Sequence, residues 1–406
     1  MTTRTTIPPR SKRAFDSVEG DLVVGRGTIV GGTGTPAFVR VSGTVYCEGE
    51  NLFECSLTAE RLEAEGDLAI RGDLTIKDDI QVEDGEMTVY GNITARDVDI
   101  DGSLVVSKDL QAESIDVGGS LKVDGKVKGV NIDAGGSFVS RGPVEIGRVD
   151  VGGSVAIDSE ANIDELDVGG SAKVLSGKIR RIDVGGSFES KGKLEFEEID
   201  VGGTVRLGDK SKGKSTEVGG SFKVEGDLEF EKIEVGGKVE ITGSGKGKEL
   251  DVGGKVEVGG SLEISDSLDV GGKVEVRGEV YAGKIQVGGF LEAKKARAED
   301  SIEVGGAIIT TEGTVARYIE IGKGGRVRGV AKGDRVVISE DARAEDIHGR
   351  KILLERGAEA NNVYGESVTI ESHCRINGEV RYTGDLRIGD HVSLAKEPRK
   401  VDSLPE

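Results

Sequence analysis

One short motif keeps returning along this chain. I-D-V-G-G-S begins at Ile115, I-D-A-G-G-S at Ile132, V-D-V-G-G-S at Val149, L-D-V-G-G-S at Leu166 and I-E-V-G-G-K at Ile233. The last apolar residue before the glycine pair marks a register that runs Val117, Ala134, Val151, Val168, Val184, Val201 and onward to Ile321. The same register reaches back through Ile100, Val82 and Ala64 to Cys47, and forward through Ile338, Leu354 and Ile370 to Ile388. Twenty steps from Cys47 to Ile388 cover 341 residues, a mean of 17.05. A fixed period this short is the signature of a solenoid, in which each repeat packs only on its neighbours.

One coil shows how the repeat folds. From Val218, apolar residues fall at Phe222 and Val224, Leu228 and Phe230, and Ile233 and Val235. Each pair is a short strand with both side chains on one face. Three strands per 17 residues make a triangular coil, and stacked coils satisfy the backbone as parallel sheets. The expected fold is all-β, a single-stranded right-handed parallel β-helix of about 22 coils, roughly 105 Å long at the spacing of paired strands. Parallel crossovers are right-handed by default. Phe138, Phe188, Phe222 and Leu121 also stand where left-handed hexad coils keep a small residue.

The chain divides into a basic tail (1–17), irregular coils (18–99), regular glycine-paired coils (100–321), a further set of coils (322–395) and a second tail (396–406). In the first tail, Pro8 and Pro9 oppose regular structure, so a disordered arm is expected. Arg4, Arg10, Lys12 and Arg13 give it a sign opposite to the body and suit it to an anionic surface, either lipid or the protein's own acidic side. Val18 to Leu22 read as the first coil, and G-G-T-G-T-P from Gly31 as an irregular loop.

Twelve glycine pairs, Gly118-Gly119 through Gly305-Gly306, stack at one corner. The expectation is that the turn needs positive φ there. A phosphate cradle would need a helix after the turn, and here a strand follows. The residue before the marker is acidic on eleven successive coils, Asp99 to Asp269. Each acid is expected to accept a hydrogen bond from the first corner glycine, a backbone N–H two residues on. Ser103, Ser120, Ser137 and Ser154 form a hydroxyl column, which continues after Ser221 as Lys238, Lys255 and Lys273.

Composition narrows the function. The chain has 65 Gly, no Trp, nine Phe and six Tyr, enough for a thin core but not a thick globular one. A net charge of −20 repels nucleic acid. Cys47, Cys55 and Cys374 are too few for a disulfide framework and fit a reducing compartment. No apolar run is long enough to span a membrane as a helix, and the N-terminus does not read as a secretory signal. The expected location is cytoplasmic, with peripheral contact at the inner face of the membrane through the basic tail. The only histidines are His348, His373 and His391, of which the last two should stack on adjacent coils while Cys374 turns inward. They carry no metal-site pattern, and no catalytic, cofactor or metal residue is assigned.

The coils from Val315 to Leu394, with A-E-D-I-H-G from Ala344, A-N-N-V-Y-G from Ala360 and I-N-G-E-V from Ile376, resemble the bactofilin family of polymer-forming cytoskeletal proteins. The chain would be an unusually long member. The resemblance implies end-to-end assembly into non-polar filaments without a nucleotide, and a scaffold that recruits other proteins. Independently, a β-helix end exposes core and unpaired backbone and must be covered or paired. Association is expected through the first coils (Val18, Leu22, Val24) or the last (Leu386, Ile388, Val392, Leu394). The alternatives are a cell-surface or adhesive rod, a monomeric spacer, and an acyltransferase- or lyase-type β-helix enzyme.

Overall fold

The computed structural model describes residues 3–405; residues 1, 2 and 406 of the two tails lie outside them. Among the described residues the chain is all-β, without a helix. It forms two compact units, Met1–Gly203 and Thr204–Glu406. Each is a parallel β-solenoid, and together they make about 23 turns.

The register read from the sequence is the register of the sheets. In the first unit Cys47 pairs with Ala64, Ala64 with Val82, Val82 with Ile100 and Ile100 with Val117. In the second, Val218 pairs with Val235, Val304 with Ile321, Ile338 with Leu354 and Ile370 with Ile388. The coil read from Val218 folds as strands Ser221–Val224, Leu228–Glu229 and Lys232–Val235, with all six apolar residues buried. Alternation drives this: each strand turns two apolar side chains inward and the residue between them to solvent. Burying one Leu, Ile or Val contributes about 1.5–3 kcal/mol, as an upper estimate. A thin core therefore stabilises the stack by repetition.

The first tail is not a disordered arm. Arg4–Ile7 and Lys12–Phe15 are strands, paired in parallel with Asp21–Val24 and Ile29–Gly32. Pro8 and Pro9 fall between these strands, where no ladder hydrogen bond is lost. Pro8 offers its carbonyl to the hydroxyls of Ser11 and Thr28 at 2.6 and 3.2 Å. The first coil thus begins near Arg4 rather than Val18. The loop after Gly32 closes through an antiparallel bridge between Thr33 and Phe38, which lengthens the step from Val24 to its partner Cys47. The second tail also carries structure, since Arg399–Lys400 pairs with Arg381 and Tyr382.

The glycine pairs are not there for positive φ. The left-handed glycines include Gly324 and Gly357 but none of the twelve paired ones. What the pairs supply is proximity. A Cβ on Gly136 would lie 2.8 Å from the carbonyl oxygen of Gly119, one coil away. Backbone stacks on backbone at this corner, and only a residue without Cβ fits.

Candidate functional site

The C-terminal coil is the most exposed part of the core. Its strands Leu386–Ile388, Ser393–Leu394 and Arg399–Lys400 each pair with the coil before. Their other edges carry no strand among the described residues. Ile388 is 44% exposed, whereas Ile370, its partner one coil back, is 1% exposed. Leu386, Val392 and Leu394 are half-buried. After Lys400 the chain leaves the stack: Val401 donates its N–H to the Tyr382 carbonyl at 2.9 Å, and Leu404 and Pro405 lie back along the side of the solenoid. The four residues expected at this end are together there.

The N-terminal set is elsewhere. Val18, Leu22 and Val24 are buried, at 5%, 0% and 0% exposure. The strand Arg4–Ile7 covers Leu22 and Val24, so they are interior, not an end face. The outermost coil at this end is the basic one. Arg4 lies over the Tyr46 ring, 5.6 Å from its centroid. Lys12 pairs with Glu54 at 2.5 Å. Arg10 occupies a left-handed turn, and Arg13 is exposed on the strand. The four cations belong to an ordered surface.

The acidic column is continuous in the first unit from Asp99 through Asp116, Asp133, Asp150, Asp167 and Asp183 to Asp200. It does not brace the corner as expected. The Gly118 N–H donates to the Ile100 carbonyl at 2.9 Å, and Gly135 to Val117 at 3.0 Å. The coil stacking has already used those donors. Burial and the neighbouring Asp116 and Asp150 hold the Asp133 carboxyl above its ordinary value; burial, Asp150 and Asp183 do the same to Asp167. Arg148, two residues before Asp150 on the same strand, offsets part of the repulsion at 3.3 Å.

The hydroxyl column does hydrogen-bond along the stack, with Ser137 donating to Ser120 at 3.0 Å. Its lysine continuation is a zipper. Lys238 reaches Glu240 at 3.0 Å and Glu257 at 2.5 Å, and Lys255 reaches Glu257 and, at 2.6 Å, Glu275. Hydrogen bonds from these lysines hold the three glutamates below the usual carboxylate range.

His373 and His391 stack on adjacent coils, with ring centroids 5.2 Å apart, and both take left-handed backbone. Cys374 turns inward and is buried. His348 instead packs against Tyr364 at 4.8 Å, and burial lowers its pKa. Among the described residues no three His, Cys, Asp or Glu side chains gather as a metal site, and no helix is long and apolar enough to cross a membrane.

A groove that sequence reasoning missed runs along one corner of the second unit, with about 710 Å³ of open volume. Its lining includes Gly333 and Gly349, which pair in register on successive coils. Lys332, His348 and Tyr364 line one wall; Asp334, Arg350 and Glu366 line the other. The signal was present as glycines outside the paired corner, one coil apart. Compared with known families, curated proteins and solved structures, the chain matches none of them.

Proposed function

We propose that this protein is a non-enzymatic structural scaffold that assembles with itself through its C-terminal coil, in the manner of the bactofilins that the coils from Val315 to Leu394 resemble. The observation that carries this reading is the open apolar edge at Leu386, Ile388, Val392 and Leu394, beside strands paired on one side only. An unpaired strand edge with apolar side chains is a template for another strand, and a second copy offers the same period. Assembly needs no nucleotide in this scheme, because burial and main-chain hydrogen bonds supply the driving force.

The ordered basic coil carrying Arg4, Arg10, Lys12 and Arg13 suits peripheral contact with an anionic membrane face, and a cytoplasmic protein would meet that face. The long acidic and zippered sides offer surface for recruited proteins, while nucleic acid is disfavoured by the net charge. Sedimentation of the purified chain over a range of concentrations tests the proposal. Concentration-dependent association beyond the monomer, without added nucleotide, is expected; a strict monomer at high concentration and physiological salt would refute it.

A further inference from the structure

The groove lined by Gly333 and Gly349 already holds part of this chain. Leu404 and Pro405, past the last coil, line it and are half-buried, while Asp402 and Ser403 just before them are exposed. Small and apolar residues, Ala298, Val315 and Ala316, line the groove beside the glycines. A Cβ on Gly349 would meet the Gly333 carbonyl at 3.0 Å and the buried Ile352 side chain at 3.1 Å, so glycine here lets the coils stack closely beneath the groove. The walls carry both signs of charge, with Arg350 paired to Asp334 at 3.0 Å, and favour a segment of little net charge. About 710 Å³ remains open beside Leu404 and Pro405.

From this we infer that the corner groove is a docking site for an extended leucine–proline segment, and that its occupant in an assembly is the C-terminal segment of a second copy. The ligand chemistry is that of Leu404 and Pro405, the one segment seated on the groove among the described residues. Proline fixes the backbone before binding and lowers the ordering cost. Exchange of a terminal segment between identical chains needs no new contact, only the same contact made in trans. The inference deepens the self-assembly reading by adding a second contact away from the coil end.

A fluorescently labelled peptide of residues 396–406 tests the groove directly. It is titrated against the full chain and against a chain ending at Asp402, with fluorescence anisotropy as the readout. Saturable binding to the shortened chain is expected with a Kd of about 1–100 µM. A peptide carrying Leu404→Ser should bind about ten-fold more weakly or worse. The full chain should bind less tightly than the shortened one, because its own segment competes. Equal binding of the Leu404→Ser peptide, or no saturation by about 1 mM, overturns the site. The second copy is tested by sedimentation equilibrium in an Ile388→Asp background, which removes the end contact. Residual dimer that depends on residues 403–406 supports exchange; no dimer, or one indifferent to those residues, overturns it. The peptide assay does not depend on the end contact, so the two readings fail separately.

Discussion

Gly135 and Gly152 stack so closely that a methyl group on Gly152 would sit 2.6 Å from the Gly135 carbonyl oxygen. Nothing flexible stands in that space, so the backbone of one coil must shift to admit a side chain. Gly152→Ala is therefore expected to destabilise the first unit by about 1–3 kcal/mol, the usual cost of overpacking. Gly324 is the control. It has φ +67° and nothing within 4 Å of a Cβ. Gly324→Ala should lose only the left-handed strain, about 1–2 kcal/mol, and Gly324→Asn should recover part of it. Chemical denaturation of the three variants checks both halves. Equal losses for Gly324→Ala and Gly324→Asn would contradict a conformational cause at that corner.

The acidic column makes an opposite kind of statement. Asp133 is held above its ordinary value of 3.8, so its contribution to stability is full below that value. It is lost as pH rises through the raised folded value. Asp133→Asn should therefore raise the melting temperature slightly at neutral pH and low salt, by an amount that solvent screening of this exposed carboxylate keeps well under about 1 kcal/mol. The gain should shrink in 0.5 M salt and vanish below about pH 3. Thermal melts over this pH and salt grid decide it; a gain that persists in acid would point to packing instead.

The Lys238, Lys255 and Lys273 zipper has the reverse sign. Glu240, Glu257 and Glu275 are lowered from 4.5, so what they contribute is present above that value and is lost as pH falls through their lowered folded values. Glu257→Gln should cost well under 1 kcal/mol at neutral pH, because the group is partly exposed, and nothing at about pH 2. Melting curves at the two pH values supply the comparison.

All three thiols are buried, and burial pushes Cys47 up to about 12 and Cys55 to about 11. The native protein should react with a thiol-specific dye at a rate set by unfolding, and the denatured chain at once. Fast reaction of any one thiol under native conditions would place that residue outside the core.

Much of this fold was legible because a 17-residue period leaves little freedom: the marker column from Cys47 to Ile370 is buried, and its partners pair as the spacing requires. The first coil was missed because the loop between Gly32 and Phe38 stretches one step of the register, and because Pro8 and Pro9 look disruptive until seen between strands. Glycine pairs do not reveal whether a corner needs positive φ or close backbone approach; here it is the second. The acid at each corner suggested a brace, but main-chain stacking had claimed the donor. The C-terminal edge was readable from Leu386 to Leu394. The groove was not, since it depends on where Leu404 and Pro405 go after the stack ends.

Self-assembly through the last coil is tested most directly by electron microscopy of the purified protein beside its Ile388→Asp variant. The variant places a charge on an edge residue that is already 44% exposed, so the fold should survive it, as circular dichroism can verify. End-joined particles or longer filaments for the unmodified chain without nucleotide, and isolated particles for Ile388→Asp, are the expected result. Isolated particles for both, or filaments unaffected by the substitution, would contradict assembly through this edge.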